Sequence, residues 1–450
     1  MILREGSATG DPPVTPRGLI IAATHSGCGK TTVTLALLTA LKRRGIAVRA
    51  AKAGPDYIDP AFHAAATGAP SVNLDSWAMA PEILDTLAAR QSEGAELLVI
   101  EGVMGLFDGA AGPPGRSGAT ADLARHFRLP VILVLDVHGQ SQSAAAIVRG
   151  FASHDPAVHV AGVILNRVGS DRHRALIADA LAPLAIPVLG VIPRDQHIAL
   201  PERHLGLVQA GEHGDLAKRL DTLAELAASN FDLDRIVDLA APLTLERGEA
   251  VTTITPPGQR IALAHDQAFS FIYPHLIDAW RCAGAEVVPF SPLADEGADA
   301  SCDACWLPGG YPELHAAALA NAVKFQRGMQ DFAQRHPVHG ECGGYMVLGQ
   351  GLEDASGKRH AMLGLLGHTT SFAQRKLHLG YRTARLLIDC PVGAAGCVIR
   401  GHEFHYARLI EPGNDAPLVA IADAQDAPLG KAGSRRGHVT GTFFHAIARA

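Results

Sequence analysis

The feature that most constrains this chain lies close to its N-terminus. An apolar run at 19–23 leads directly into Thr24-His25-Ser26-Gly27-Cys28-Gly29-Lys30-Thr31-Thr32, and a helical pattern follows over 31–44. Strand, Gly-rich turn and helix in this order form a phosphate-binding loop, with Thr24 where the usual pattern has its first Gly. Small residues let backbone N–H groups wrap phosphate oxygens, and the helix N-terminus adds positive dipole. Lys30 supplies a point charge, and the Thr31 hydroxyl is placed for Mg²⁺. Thr24, Gly27, Gly29, Lys30, Thr31 and Thr32 are therefore the expected nucleotide contacts. A plain helix cap would share the glycines but has no need of Gly-Lys-Thr at this junction.

The same alternation continues. Short apolar runs recur at 48–51, 97–101, 131–136, 160–166 and 188–192, with helical stretches such as 143–151 between them. This predicts an α/β fold with a parallel sheet flanked by helices. Around 230–259 the pattern breaks into charges, Thr and Pro256-Pro257, which reads as a linker. Alternation resumes at 261–264, 286–289, 304–307 and 338–340. The expected division is a flexible N-terminus over 1–17, a P-loop domain over 18–229, the linker, and a second α/β domain over 260–450. A chain of 450 residues has room for two or three such domains.

Composition narrows the function classes. A net charge of -6 argues against a general nucleic-acid binder, which would present a basic face. Residues 1–18 have no apolar core of a signal peptide, and Gly, Pro and charges interrupt every apolar run, so no membrane span is expected. Seven Cys, an odd number, suit a reducing compartment, hence a cytoplasmic location. Cys302 and Cys305 form a lone CxxC, read as ordinary packing rather than a zinc site.

Two acidic segments follow strand ends: Gly54-Pro55-Asp56-Tyr57-Ile58-Asp59-Pro60, and Glu101-Gly102-Val103-Met104-Gly105-Leu106-Phe107-Asp108-Gly109. Ligands of open α/β sheets gather at the carboxyl ends of strands, where one or two carboxylates suffice to hold Mg²⁺. Asp56 and Glu101 are the expected metal ligands. Asp59 and Asp108 are open to a substrate or a structural role. Asn166, at another strand end, offers an amide that could read an adenine edge or simply close a turn.

The second domain contains Val338-His339-Gly340-Glu341-Cys342-Gly343-Gly344-Tyr345-Met346, a strand end, a Cys among small residues and a helix start. That is the shape of a nucleophile elbow, in which a tight turn exposes the sulfur and the helix N-terminus lowers its pKa. Upstream, Leu307-Pro308-Gly309-Gly310-Tyr311 can donate backbone N–H groups, so Gly310 and Gly343 are the expected oxyanion donors. The thiol needs a base. Among 22 His, His445 and His405 stand out, and spacing does not choose between them.

Together these strings resemble the cobyrinic/hydrogenobyrinic acid a,c-diamide synthase family. The matching residues also include Asn73-Leu74-Asp75, Leu200-Pro201-Glu202-Arg203-His204-Leu205-Gly206 and Gly401-His402-Glu403-Phe404-His405-Tyr406, so the resemblance runs over about 18–448. It implies a dethiobiotin-synthetase-like ATP domain joined to a class I glutamine amidotransferase domain. It further implies ATP- and glutamine-dependent amidation of the a and c acetates of a corrin ring, with Mg²⁺. The resemblance makes Cys342 the nucleophile and His445 its base. It places Asp56, Tyr57, Ile58, Asp59, Glu101 and Asp108 on the ATP side, with Tyr57, Ile58, Asp59 and Asp108 toward the substrate. No acidic third member is implied, and Ala446-Ile447-Ala448 follows His445 where many relatives carry another His. The expected partners are corrinoid, glutamine and ATP, with a homodimer carried as the assembly. Metal-free hydrogenobyrinic acid is the expected substrate; cobalt-bearing cobyrinic acid and nickel-sirohydrochlorin are the alternatives. Cobyric acid synthase is a related rival whose P-loop region usually diverges from this one. A partitioning-type P-loop ATPase, the rival from another class, has no use for the Cys342 elbow.

Overall fold

A computed structural model describes residues 16–194, 214–243, 245 and 254–450, together with 202–203, 206–207, 209 and 212. Nearly all of the expected N-terminal tail and most of the 200–206 string lie outside the described residues.

The first domain is built on a parallel sheet of β1 (Arg17–Ala23), β2 (Val48–Ala53), β3 (Val72–Leu74), β4 (Leu97–Glu101), β5 (Val131–Asp136), β6 (Val160–Val168) and β7 (Val188–Pro193). Its order is β3-β2-β4-β1-β5-β6-β7. The central strands β4 and β5 are nearly unbroken apolar runs because helices cover both faces of such a sheet. Leu97, Leu98, Val99 and Ile100 are all buried, and so is Glu101 at the end of the same strand. Helix α1 (Lys30–Arg43) starts from the loop after β1, and its Leu35, Ala36, Leu37, Leu38 and Leu41 are buried in the core. Helix α2 (Asp59–Thr67) follows β2.

Two details differ from expectation. β3 is three residues long, Val-Asn-Leu, too short and mixed to announce itself. The expected linker begins as part of the first domain: a helix spans Leu233–Leu239, and Ala241–Pro242 pairs antiparallel with β1. Leu233 and Ile236 bury one face of that short helix, an apolar stripe masked in the sequence by the surrounding Asp and Arg.

The second domain has its own parallel sheet, ordered Glu286–Phe290, Arg260–Ala264, Ala304–Leu307, Val338–Glu341 and Val439–Thr442, with Ser434–Arg436 antiparallel at the edge. An antiparallel sheet of Pro428–Ala432, Val419–Ala422, His378–Leu386, Val398–His405 and His445–Arg449 was not anticipated. It packs against the first domain. The Trp77 ring stacks on Tyr381 at 4.5 Å and lies under the Arg400 guanidinium. The Tyr381 hydroxyl donates to Asp75 Oδ2 at 3.0 Å, and Arg400 Nη1 donates to the Trp77 carbonyl at 2.7 Å.

Trp77→Ala removes the aromatic centre of this junction. It should lower stability by about 3–5 kcal/mol, read as a shifted urea midpoint of the near-UV signal. A loss below about 1 kcal/mol, the size expected of a surface change, would mean the ring does not hold the domains together.

Candidate active sites

At the P-loop, Gly29 has φ 90° and lies so close to Asn166 that a Cβ would sit 2.2 Å from Nδ2. Only glycine fits. The Asn166 amide donates to Cys28 O at 2.7 Å, and its Oδ1 accepts from Arg167 N at 2.9 Å. These bonds brace the loop, and Asn166 stays on the wall of the adjoining cavity. The Thr24 hydroxyl also stays within the loop, against His25 Nδ1 and Cys28 Sγ. Lys30 Nζ donates to Met104 O at 2.5 Å, which holds the ammonium over the loop after β4.

The carboxylates expected after the ends of β2 and β4 lie close to one another. Thr31 Oγ1 donates to Glu101 Oε1 at 2.7 Å. Glu101 also meets Lys52 Nζ at 3.1 Å and His63 Nε2 at 2.7 Å. Lys52 Nζ lies 2.6 Å from Asp59 Oδ2. Asp56 Oδ1 accepts from the amides of Ile58 and Asp59, at 2.7 and 3.0 Å, and so closes the turn that leads into α2. Burial opposes the ionised form of Glu101, but Lys52 and hydrogen bonds from His63 and Thr31 win and hold it ionised. Lys52 is held protonated by Asp59 and Glu101 against the burial that opposes it. Burial and the nearby Asp56 raise Asp59, opposed by Lys52. Asp108 Oδ2 accepts from Gly105 N at 2.9 Å and shapes the loop after β4. Lys52 and His63 were not singled out from the sequence; a lone Lys inside a strand and a lone His inside a helix carry no signal of a shared carboxylate.

Most of these groups, though not His63 or Thr24, line a cavity of about 1520 Å³. Gly27, Gly29, Lys30, Thr31, Thr32, Asp56, Asp59, Glu101, Asp108 and Asn166 are all on its wall. The opposite wall comes from the second domain, including Gly380, Tyr381, Arg382, His402 and Phe404. The cavity expected to belong to the first domain is thus shared. Two expected substrate residues are not on its wall. Ile58 is buried in the core beside α1, and the Tyr57 ring turns away into the junction, stacked on Tyr273 at 4.3 Å. Among the described residues no three His, Cys, Asp or Glu are grouped to hold a metal unaided.

Cys342 sits between the strand Val338–Glu341 and a short helix, Gly343–Leu348, at φ 47° and ψ -102°. Positive φ is strained for any residue with a Cβ, and such strain persists only where the surroundings impose it. Here they do: Cys342 N donates to Thr442 O at 2.8 Å, and Gly344 N donates to Pro308 O at 3.0 Å. A Cβ on Gly344 would sit 2.0 Å from Leu307 O, and one on Gly310 would sit 2.1 Å from Ala268 O. The amide of Gly343 donates toward the sulfur, and Gly310 N lies beside Gly343. The expected lowering of the thiol pKa does not occur. Burial, then the charge of Glu313, pushes it up, and the Gly343 amide offsets only part of this. The elbow helix is too short and the site too dry for the dipole to prevail.

Parallel pairing sets Glu341 opposite Thr442, so Cys342 and His445 leave the sheet at the same end. His445 is buried; burial first, then the neighbouring His402 and His405, keep it neutral. Its Nδ1 lies 3.1 Å from the Tyr57 hydroxyl and 3.9 Å from Glu341 Oε2. Its ring stacks on His402, its cross-strand partner, at 5.1 Å. His405, the rival base, instead stacks on Phe443 at 4.0 Å and pairs through Nδ1 with Ala407 O. Of the two histidines, His445 is the one that shares the sheet end of the elbow.

Residues 19–208 match the CobQ/CobB/MinD/ParA nucleotide binding domain model, and residues 260–450 match the CobB/CobQ-like glutamine amidotransferase domain model. A hydrogenobyrinate a,c-diamide synthase of Mesorhizobium japonicum is 61% identical over 97% of this chain and 100% of that protein. Those of Agrobacterium fabrum and Rhodobacter capsulatus are 59% and 55% identical, over 97% and 96% of this chain and 100% and 99% of theirs. The chain belongs to the hydrogenobyrinate a,c-diamide synthase family. The resemblance read from the motifs is therefore correct, and so is the two-domain α/β class. The family's nucleotide-binding unit holds the cavity loops, and its glutamine amidotransferase unit holds the cysteine elbow. No helix among the described residues is long and apolar enough to cross a membrane.

The dry thiol has a direct consequence. With limiting iodoacetamide at pH ~7.5 and no glutamine, the exposed Cys282 should be labelled before the buried Cys342, as read by peptide mass spectrometry. Preferential labelling of Cys342 would show a thiolate already present at rest.

Proposed function

We propose that this protein amidates the a and c acetate carboxylates of hydrogenobyrinic acid, taking nitrogen from glutamine and energy from ATP. The observation that carries the reading is the pair of sites within one fold, a P-loop with converging carboxylates and a strained cysteine elbow, in a chain 61% identical over 97% of its length to a hydrogenobyrinate a,c-diamide synthase.

At the elbow, His445 Nε2 takes the proton of the neutral Cys342 thiol as sulfur attacks the glutamine carboxamide carbon. The amides of Gly343 and Gly310 stabilise the oxyanion. The tetrahedral intermediate collapses to a thioester, and the leaving nitrogen takes the proton back and departs as ammonia. Water, deprotonated by His445, then releases glutamate and restores the thiol. A resting thiol–imidazole pair that is neutral suits this cycle, because charge is created only when substrate is present to use it.

In the large cavity the problem is electrophilicity. A carboxylate is a poor target for ammonia because its leaving group would be oxide. Transfer of the γ-phosphoryl of ATP to the acetate gives an acyl phosphate, and ammonia then displaces inorganic phosphate. Lys30, on the P-loop, neutralises phosphate charge during the transfer. Thr31, Glu101 and Asp56 fit a Mg²⁺ that arrives with the nucleotide, since few protein ligands are needed when phosphates supply the rest. Such an ion would supply charge neutralisation at the phosphates. Asp59, joined to Lys52, and Asp108 support the reading as groups of the cavity wall. A cavity of about 1520 Å³ suits a macrocycle beside a nucleotide, whereas ordinary ligand pockets are about 300–1,000 Å³.

Cys342→Ala should abolish amidation with glutamine and retain amidation with ammonium salts, measured by mass spectrometry of the corrinoid product. Loss of both would sink the division of labour. Lys30→Ala should lower both by at least about 100-fold, because phosphoryl transfer serves either nitrogen source. Offering metal-free and cobalt-bearing substrates side by side tests the choice of corrinoid.

A further inference from the structure

Among the described residues, no carboxylate is within hydrogen-bond reach of His445 Nδ1. Glu341 is the carboxylate the structure brings to His445 Nδ1, and at 3.9 Å it is beyond hydrogen-bond reach. Its Oε1 accepts from Ala446 N at 2.9 Å instead, and burial raises its carboxyl to about 8, so at neutral pH it is largely uncharged. The group within reach of Nδ1 comes from the other domain. Tyr57, at the tip of the segment between β2 and α2, places its hydroxyl 3.1 Å from Nδ1.

That contact is built rather than incidental. The Tyr57 ring lies against Phe271 at 5.3 Å and 8°, and against Tyr273 at 4.3 Å, both from the amidotransferase domain. The Tyr273 hydroxyl donates to Pro55 O at 3.1 Å and so pins the backbone two residues before Tyr57. On the other side, Asp56 caps the amides of Ile58 and Asp59, which fixes the turn that presents the ring. Asp56 also borders both the nucleotide cavity and the small cavity formed by Tyr57, His402 and His445. One five-residue segment therefore touches the nucleotide site with Asp56 and Asp59 and the base of the glutamine site with Tyr57.

We infer that Tyr57 is the positioning residue of His445: its hydroxyl oxygen accepts the Nδ1 hydrogen, which leaves the Nε2 lone pair free for the Cys342 thiol. The inference rests on the reading of Cys342 and His445 as the glutaminase pair. In His-based triads a carboxylate does this work within the same unit, fixing tautomer and ring orientation. Here the synthetase domain supplies it, so a displacement of the 55–59 segment reaches the base directly. Glutamine hydrolysis is thereby tied to the state of the site that will consume the ammonia.

Tyr57→Phe keeps the ring and its stacking and removes only the hydroxyl. In the full-length protein it should lower the kcat of glutamine hydrolysis by about 10- to 100-fold with glutamine KM little changed, because alignment and not binding is lost. Amidation supported by ammonium salts, measured on the same preparation, should fall far less than amidation supported by glutamine. Adding ATP, Mg²⁺ and corrinoid acid should stimulate glutamine hydrolysis in the unaltered protein and stimulate it less in Tyr57→Phe. Unchanged kcat, or equal losses with glutamine and ammonia, would overturn the assignment. Cys342→Ala serves as the control: if it still hydrolysed glutamine, the underlying reading of the site would fail, and if it did not while Tyr57→Phe behaved as the unaltered protein, only the role of Tyr57 would fail.

Discussion

Glu101 is wholly buried at the end of a central strand, and a carboxylate in that position is tolerated only if other groups replace its water. Three do. Thr31 comes from the first turn of α1, Lys52 from the end of β2, and His63 from α2. One carboxylate thus gathers the P-loop helix, a neighbouring strand and the helix that follows the acidic segment. Removing Lys52 would leave the buried carboxylate without its compensating cation, which is far costlier than the pair is worth in net stability. The arrangement holds Asp56 and Asp59 near the P-loop before any ligand arrives. Carboxyl groups set beside Lys30 and Lys52 on one cavity wall suit a cation that carries phosphates with it.

The cysteine site follows a different logic. Its strain is in the backbone, at the positive φ of Cys342, and glycines at 310 and 344 permit the close approaches that hold it. Its thiol is dry and neutral rather than ionised in advance. Activation therefore depends on the exact placement of an uncharged imidazole, and small displacements of that ring matter more than they would beside a thiolate. The junction between the domains is where that ring sits. An interface that carries Trp77 on Tyr381 and Tyr57 on Tyr273 is aromatic and tightly fitted, which suits transmission of position better than a wet, polar one.

Much of the architecture was legible because it is local. The strands at 97–101, 131–136 and 304–307 have the same bounds in the structure, since unbroken apolar runs between turn signals leave little choice. The P-loop and the elbow were legible because their chemistry demands particular residue types at adjacent positions. β3 was not, being three residues with a polar centre, and the helix Leu233–Leu239 was hidden by its charges. The antiparallel sheet over 378–449 was missed because its strands alternate polar and apolar residues weakly, and its partners are far apart in sequence.

The sequence by itself determined which residues are candidates for reactive or phosphate-binding roles: Lys30 and Thr31, the acids at 56, 59 and 101, and Cys342. These are set by neighbours within a few residues, and the family strings follow from them. Tertiary structure decided what each of those groups does next to the others. It set Asn166 as a brace on the P-loop, sent Ile58 to the core, buried the thiol, and placed His445 rather than His405 at the sheet end of the elbow. It also brought Tyr57 to His445 across 388 positions of sequence. Such contacts depend on how two separately folded sheets pack, and no spacing within either one encodes them.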